Sequence, residues 1–287
     1  MINILRPILT ALMLVFVQDL SAAADSGPGS LRMYDVATGK ETPLSGILPD
    51  LKRKKIILVG EHHTNESHHR AQLTVLRFLH EAGIPVAVGM EMFRSESQPI
   101  LDQWCQGKLD EKALQKAYDD DWGYPWPLYA QILEYARSRK IPLVGLNIPR
   151  EVTQKVAREG FNSLSKEERG KLPIVECNVG AEYMAFIKRA YGAHAHGRMN
   201  LTNFCEAQLV WDKVMAIHAE RYLESNPGRV MILLAGTGHA WKNGIPAQIR
   251  KTSSLPCSVI LPEVSGAIER ATISLEDADY LVLDVTP

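Results

Sequence analysis

An α/β fold is predicted for this chain: a mostly parallel sheet with helices on both faces, plus a smaller helical subdomain inserted before the fourth core strand. Three observations predict it. Short, unbroken apolar runs recur at residues 56–59, 86–90, 143–146, 230–235, 258–261 and 281–283, as expected of strands buried on both faces. Segments of helical period lie between several of these runs, so successive strands are joined by crossovers and run parallel. Residues 150–229 break that rhythm, with helical patterns and no convincing strand.

The elements follow in order. Arg6 precedes an apolar run over 7–17, and Ala22-Ala23-Ala24 supplies the small residues of a signal-peptidase site. The expectation is a signal peptide over 1–24 and an exported protein, periplasmic or associated with the outer membrane. The uncharged run is too short to span a bilayer, and no cysteine follows it to accept a lipid. Residues 31–36 read as a strand entering the turn Ala37-Thr38-Gly39-Lys40, an edge hairpin. Residues 69–81 place Leu73, Leu76, Phe78 and Leu79 on a helical period, and Gly83-Ile84-Pro85 stops the helix. The α/β domain then comprises 25–149 and 230–287, with the helical subdomain at 150–229. In that insert, Ser165 and Glu168 form a capping box, 180–191 a second helix and 201–224 a long third. A polar, histidine-bearing connector over 192–200 joins the last two.

Composition narrows the function. The chain has 287 residues, 46% hydrophobic and 23% charged, with 32 Lys and Arg against 33 Asp and Glu, for a net charge of −1. It carries no basic footprint for nucleic acid. Small molecules and proteins are the better partners. The four cysteines, Cys105, Cys177, Cys205 and Cys257, allow three pairings, and their spacing contains no C-x-x-C. Burial or a disulfide is the default for each.

The chemistry concentrates at strand ends, where α/β sheets bind ligands. Gly60-Glu61-His62-His63 follows the first core strand, Glu91 the second, Asn147 and Arg150 the third, and Gly236-Thr237-Gly238-His239 the fourth. His63, Glu91 and His239 could hold a divalent metal with an open position for water, while Glu61, Glu91 and Arg150 would serve catalysis in a hydrolase. Without metal, Glu61 or Glu91 could be a general base. The plain alternative is that the carboxyl groups cap the following helices and the histidines satisfy backbone groups. His68 and His69 are expected on the exposed first turn of a helix. Gln208 and Asp212, four apart on the long helix, either point into the strand-end cleft or bond one another. The aromatic, proline-broken stretch 119–127 either roofs a pocket or packs onto the domain.

The motifs Ile57-Leu-Val-Gly-Glu-His-His-Thr-Asn65, Gly145-Leu-Asn-Ile-Pro-Arg150, Glu206-Ala-Gln-Leu-Val-Trp-Asp-Lys-Val-Met-Ala216 and Leu234-Ala-Gly-Thr-Gly-His239 occur in that order. Together they resemble the ChaN-like haem-binding uptake proteins of the Tiki superfamily, from about Met33 to the C-terminus. The resemblance implies an α/β domain with a helical subdomain, a role in haem acquisition, and haem held between two protomers with tyrosine on iron. It also implies kinship with Tiki-type and TraB-type proteins, whose corresponding residues, here His63, Glu91 and His239, are taken to form a metal-dependent hydrolytic site. An esterase or peptidase of that kind is therefore the alternative function.

Haem needs an axial ligand, an apolar wall and cations or donors for its propionates. The insert carries all three: Tyr183 and Tyr191 eight residues apart on one helix, Lys188 and Arg189 between them, and His194, His196, Arg198 and Met199 just beyond. Cys205 could supply a thiolate to ferric haem, although Cys205 and Tyr183 read equally well as packing. The expected partners are haem, a second copy of the chain in a haem-linked dimer, and an outer-membrane haem receptor.

Overall fold

The computed structural model describes residues 27–194 and 200–285; the expected signal peptide lies outside them. A 3-10 turn leads into the edge hairpin of β1 (Arg32–Asp35) and β2 (Lys40–Pro43), followed by α1 (Leu44–Leu51), β3 (Ile56–Glu61), α2 (Glu66–Glu81) and β4 (Val86–Arg94). Next come α3 (Gln98–Cys105), α4 (Glu111–Asp121), α5 (Pro127–Ser138) and β5 (Leu143–Asn147). The stretch between β5 and the next strand carries α6 (Arg150–Glu159), α7 (Lys166–Gly170), α8 (Ala181–His194) and α9 (Leu201–Ser225). The chain then returns to the sheet through β6 (Val230–Gly236), α10 (Thr237–Ala240), α11 (Ile245–Thr252), β7 (Cys257–Pro262) and β8 (Tyr280–Val282).

These strands form one eight-stranded sheet in the order β2-β1-β8-β7-β3-β6-β4-β5, parallel from β8 to β5 and antiparallel where β1 meets β2 and β8. The mixed α/β class and the parallel core are thus as the apolar runs predicted. Each run is unbroken because its two faces enter two different cores. Ile57, Val59, Val88, Ile232 and Leu234 pack under the helices α2 to α5. Ile56, Leu58, Met231, Leu233 and Val259 pack under α6, α8, α9 and α11. Each such side chain contributes about 1.5–3 kcal/mol on burial, which makes the sheet a stiff base for the groups at its strand ends.

Local signals set the helix starts. Asn65 caps α2 by accepting from the backbone of Ser67 and His68, and Asp110 caps α4 through Ala113. Ser165 and Glu168 form the expected capping box on α7. A disulfide joins Cys177, ahead of α8, to Cys205 on α9, while Cys105 and Cys257 are free. Among the described residues no helix is long and apolar enough to cross a membrane.

The topology fixes the position of the site. β3 is followed by α2 on one face, whereas β6 is reached from the helices of the other and inserts between β3 and β4. Glu61 at the end of β3 sits in register with Gly236 at the end of β6. The carboxyl ends of β3, β6 and β4 therefore lie side by side, at the point where the connections change face.

Candidate functional site

Two imidazole–carboxyl pairs meet at those three strand ends. His63 Nδ1 lies 2.5 Å from Glu61 Oε1, which also accepts a hydrogen bond from the Tyr129 hydroxyl at 3.2 Å. Glu61 Oε2 is buried and has no partner. Across Gly236, His239 Nδ1 lies 2.7 Å from Asp212 Oδ1, and Asp212 Oδ2 accepts from the Tyr183 hydroxyl at 2.7 Å. Glu91 stands between the pairs: its Oε2 accepts from the Gly236 backbone N–H at 2.7 Å, and its Oε1 is 3.7 Å from His239 Nε2, an ion-pair distance rather than a hydrogen bond. Glu61, Glu91, Asp212 and His239 are all buried, and only His63 opens toward solvent, with 23% of its side chain exposed.

Gly236 makes this crowding possible. A Cβ there would stand 2.9 Å from His63 Cε1 and 3.7 Å from Glu91 Oε2. Glycine lets the end of β6 pass between the two.

Aromatic rings close the mouth. Trp122 meets the His63 ring edge-on at 5.1 Å between centroids and Tyr124 tilts against it at 4.6 Å, so the 119–127 stretch roofs the strand ends. Trp211 flanks His239 at 5.7 Å. Arg150, exposed at the start of α6, reaches toward Gly123 in the same roof.

The charges follow from these contacts. Burial works against a proton on His239, but Glu91 and the hydrogen bond to Asp212 outweigh it and raise its pKa to about 9. For His63, burial is likewise outweighed by Glu61 and Glu91, and its pKa is raised. Burial pushes the Asp212 carboxyl up, with His239 and Tyr183 pulling back, and burial together with Asp212 holds the Tyr183 phenol well above its ordinary value.

Several sequence expectations change here. His68 and His69 are buried, because the first turn of α2 lies against the end of β3 rather than in solvent. His68 Nδ1 accepts from the His62 backbone, with a pKa lowered to about 4 by burial and the neighbouring histidines; His69 Nε2 sits 3.2 Å from the His63 carbonyl. Asn65, not Glu61, caps α2. A divalent ion on His63, Glu91 and His239 finds no support: among the described residues no group of three or more His, Cys, Asp or Glu is arranged to hold one. Glu91 is turned onto the Gly236 amide, and its other oxygen stands 3.7 Å from His239 Nε2.

Tyr183 also moves. It belongs to the Asp212–His239 pair and stacks on Trp241, so its hydroxyl is engaged in the core. Cys205 is bridged to Cys177 and offers no thiolate to iron. Of the pair Gln208 and Asp212, for which the sequence left open the cleft or a mutual bond, Asp212 enters the cleft and bonds His239 and Tyr183. The contributions of Trp122, Tyr124, Tyr129 and Tyr183 needed tertiary contacts to be seen, and only the proline-broken 119–127 stretch signalled any of them.

The remaining residues for haem lie on α8. Tyr191 is half-buried against Phe204 of α9, Lys188 and Arg189 are exposed within the preceding turn, and Met184, Ala190 and Leu201 are half-buried against the same core, while Phe186 packs on Trp241. A phenol with two cations in the preceding turn and half-buried apolar residues on α8 and α9 fits the chemistry haem requires. The His194 side chain and all of His196, Arg198 and Met199 lie outside the described residues.

Comparison with known proteins returns the same family. A family model described as haem-binding uptake, Tiki superfamily, ChaN matches residues 47–249. Among solved structures, a Campylobacter jejuni ChaN described as binding haem cofacially aligns at 22% identity over 88% of this chain and 95% of that one, with a TM-score of 0.69. An erythromycin esterase EreC mutant in its open conformation aligns at 14% identity over 76% of this chain and 72% of that one, with a TM-score of 0.50, a likeness of fold alone. Among curated proteins, Reticulata-related 5, a chloroplastic protein of Arabidopsis thaliana, matches at 29% identity over 90 residues, which is 31% of this chain and 12% of that protein.

Proposed function

Because the chain belongs to the ChaN family of haem-binding uptake proteins in the Tiki superfamily, we propose that it takes up haem on the α8–α9 surface, with Tyr191 as the iron ligand. The observation that carries this reading is the family match itself, which spans 47–249 and so includes both helices. Within that span, the Tyr183 hydroxyl donates to Asp212 and Cys205 is in a disulfide, and Tyr191 sits half-buried against Phe204, two residues after the exposed cations Lys188 and Arg189.

When bound, haem supplies a ferric centre that a phenolate can hold and release. The chain's own residues do the rest. Lys188 and Arg189 would face the propionates, Met184 and Leu201 would shield one face from water, and the Tyr191 hydroxyl would hold the iron. His194 and His196 follow on the chain as further proposed ligands.

The wider reading is an exported protein of the periplasm or outer-membrane surface that pairs with a second copy through haem and receives it from an outer-membrane receptor. The residues of 1–24 support export, the Cys177–Cys205 bridge supports an oxidising compartment, and the cofacial haem described for the Campylobacter jejuni protein supports pairing. A haem titration of the chain from residue 25 onward, followed by visible absorption and by sedimentation, tests it. Saturation near one haem per chain with a doubling of mass is expected; linear, unsaturable absorption at constant mass would refute it.

A further inference from the structure

At the opposite end of the sheet from the strand-end cluster, β6, β4 and β5 begin side by side, and the turns that lead into them enclose a cavity of about 220 Å³. Its wall is basic. His80 comes from the last turn of α2, Arg139 and Lys140 from the exit of α5, and Arg229 from the residue before β6, while no carboxyl side chain contributes to the lining. Ile84 and Ile141, both buried, add an apolar part.

These cations lack counter-charges. Arg32, Arg53, Arg70 and Arg270 each lie against a carboxyl group, whereas Arg139, Lys140 and Arg229 form no ion pair among the described residues. Basic residues at a helix C-terminus ordinarily answer the partial negative charge of its last carbonyls. That explanation does not cover this wall. Arg229 stands on neither helix: its Nη1 donates to the Val86 carbonyl at the start of β4, at 2.9 Å, and its Nε and Nη2 make no hydrogen bond among the described residues. Arg139 lies over the Tyr135 ring, 5.8 Å from its centroid, rather than on a carbonyl. The Tyr135 hydroxyl in turn meets His80 Nδ1 at 3.1 Å, which leaves His80 Nε2 to donate. Lys140 holds a left-handed φ of 53°, where the matching exit from α2 uses Gly83 at 76°. A lysine is strained there and a glycine is not, so what the lysine adds is a charge at the cavity.

We infer that this cavity is a second ligand site, for a small anion bearing phosphate. Three fixed charges and an imidazole N–H, drawn from three separate turns, meet a tetrahedral, multiply charged group from several sides, and guanidinium forks match its oxygens two at a time. A carboxylate, planar and singly charged, would leave cations unanswered. The volume lies below the roughly 300–1,000 Å³ of drug-sized pockets, so the site suits pyrophosphate or the phosphate end of a larger molecule. A free phosphate compound and a phospholipid headgroup share that chemistry. The site is separate from Glu61 and His63 by the length of a strand, about 20 Å.

The test is titration calorimetry of the haem-free chain with pyrophosphate at low ionic strength, beside flotation with phosphatidylglycerol vesicles. One saturable site per chain is expected, with affinity about 10-fold lower in Arg139→Gln and in Arg229→Gln and unchanged in Arg70→Gln, near the start of α2. Lys140→Gly should weaken binding by a similar factor without lowering the melting temperature, which separates a ligand contact from a structural role. It also decides the matter should an arginine variant not fold. Saturation by pyrophosphate without flotation would assign the site to a free phosphate compound, and flotation that is lost in Arg229→Gln, with pyrophosphate unbound, would assign it to a headgroup. Binding of neither probe, equal affinity in wild type, Arg139→Gln and Arg229→Gln, or citrate bound more tightly than pyrophosphate would overturn the proposal. None of these outcomes bears on haem binding.

Discussion

Asp212 holds His239 and Tyr183 at once through its two oxygens, and this removes Tyr183 from the surface where helical spacing had paired it with Tyr191. Tyr183→Phe should therefore lower stability by about 1–3 kcal/mol, as Asp212 loses a donor in the core, while the haem spectrum stays as in the wild type; chemical denaturation and a haem titration together check this. Gly236→Ala should displace His63, since the added methyl carbon would stand 2.9 Å from its ring, and the change should appear as a shifted His63 imidazole resonance by NMR. His239, facing Glu91 from β4, Asp212 from α9 and Glu61 from β3, also predicts a pH dependence. Its folded pKa of about 9 exceeds the ordinary imidazole value of 6.5, so its stabilising contribution is complete below about pH 6.5 and is lost as pH rises through about 9. Melting temperatures across that range should fall in the wild type and fall less in His239→Gln. At this scale Glu61, His63 and His239 were legible because a strand end projects the residues that come directly after its apolar run; Glu91 also follows such a run, although β4 continues past it to Arg94, and the burial of His68 and His69 depended on how α2 meets β3.

At the scale of elements, the strands were legible because a run buried on both faces has no polar interruption to confuse it, and Gly and Pro marked its ends. Three helices of 150–229, α7, α8 and α9, were legible from a capping box and helical periods, while α6 was not, and neither was the direction of their side chains, since α8 and α9 pack through faces that periodicity alone does not orient. The disulfide was one of three sequence-compatible pairings, and packing selects it. It ties the segment ahead of α8 to α9 across 28 residues. In the loop-closure account a bridge of that span contributes about 3–4 kcal/mol, so Cys177→Ser should lower the melting temperature by roughly 10 °C under oxidising conditions, with wild type and variant converging when a reductant is added.

Across the whole molecule, one sheet separates two layers and places its strand ends where they meet, while α8 and α9 carry a second, apolar and cationic surface on one of those layers. That separation explains why the sequence pointed to haem and to hydrolysis at once: the motifs lie on different parts of one fold. The central claim is that haem iron is held by Tyr191. The most direct measurement is visible absorption of the ferric haem complex in the wild type, Tyr191→Phe and His63→Ala. Tyr191→Phe is expected to lose or shift the phenolate-to-iron charge-transfer band while His63→Ala keeps it. An unchanged band in Tyr191→Phe with a lost band in His63→Ala would contradict the account and move haem to the strand ends.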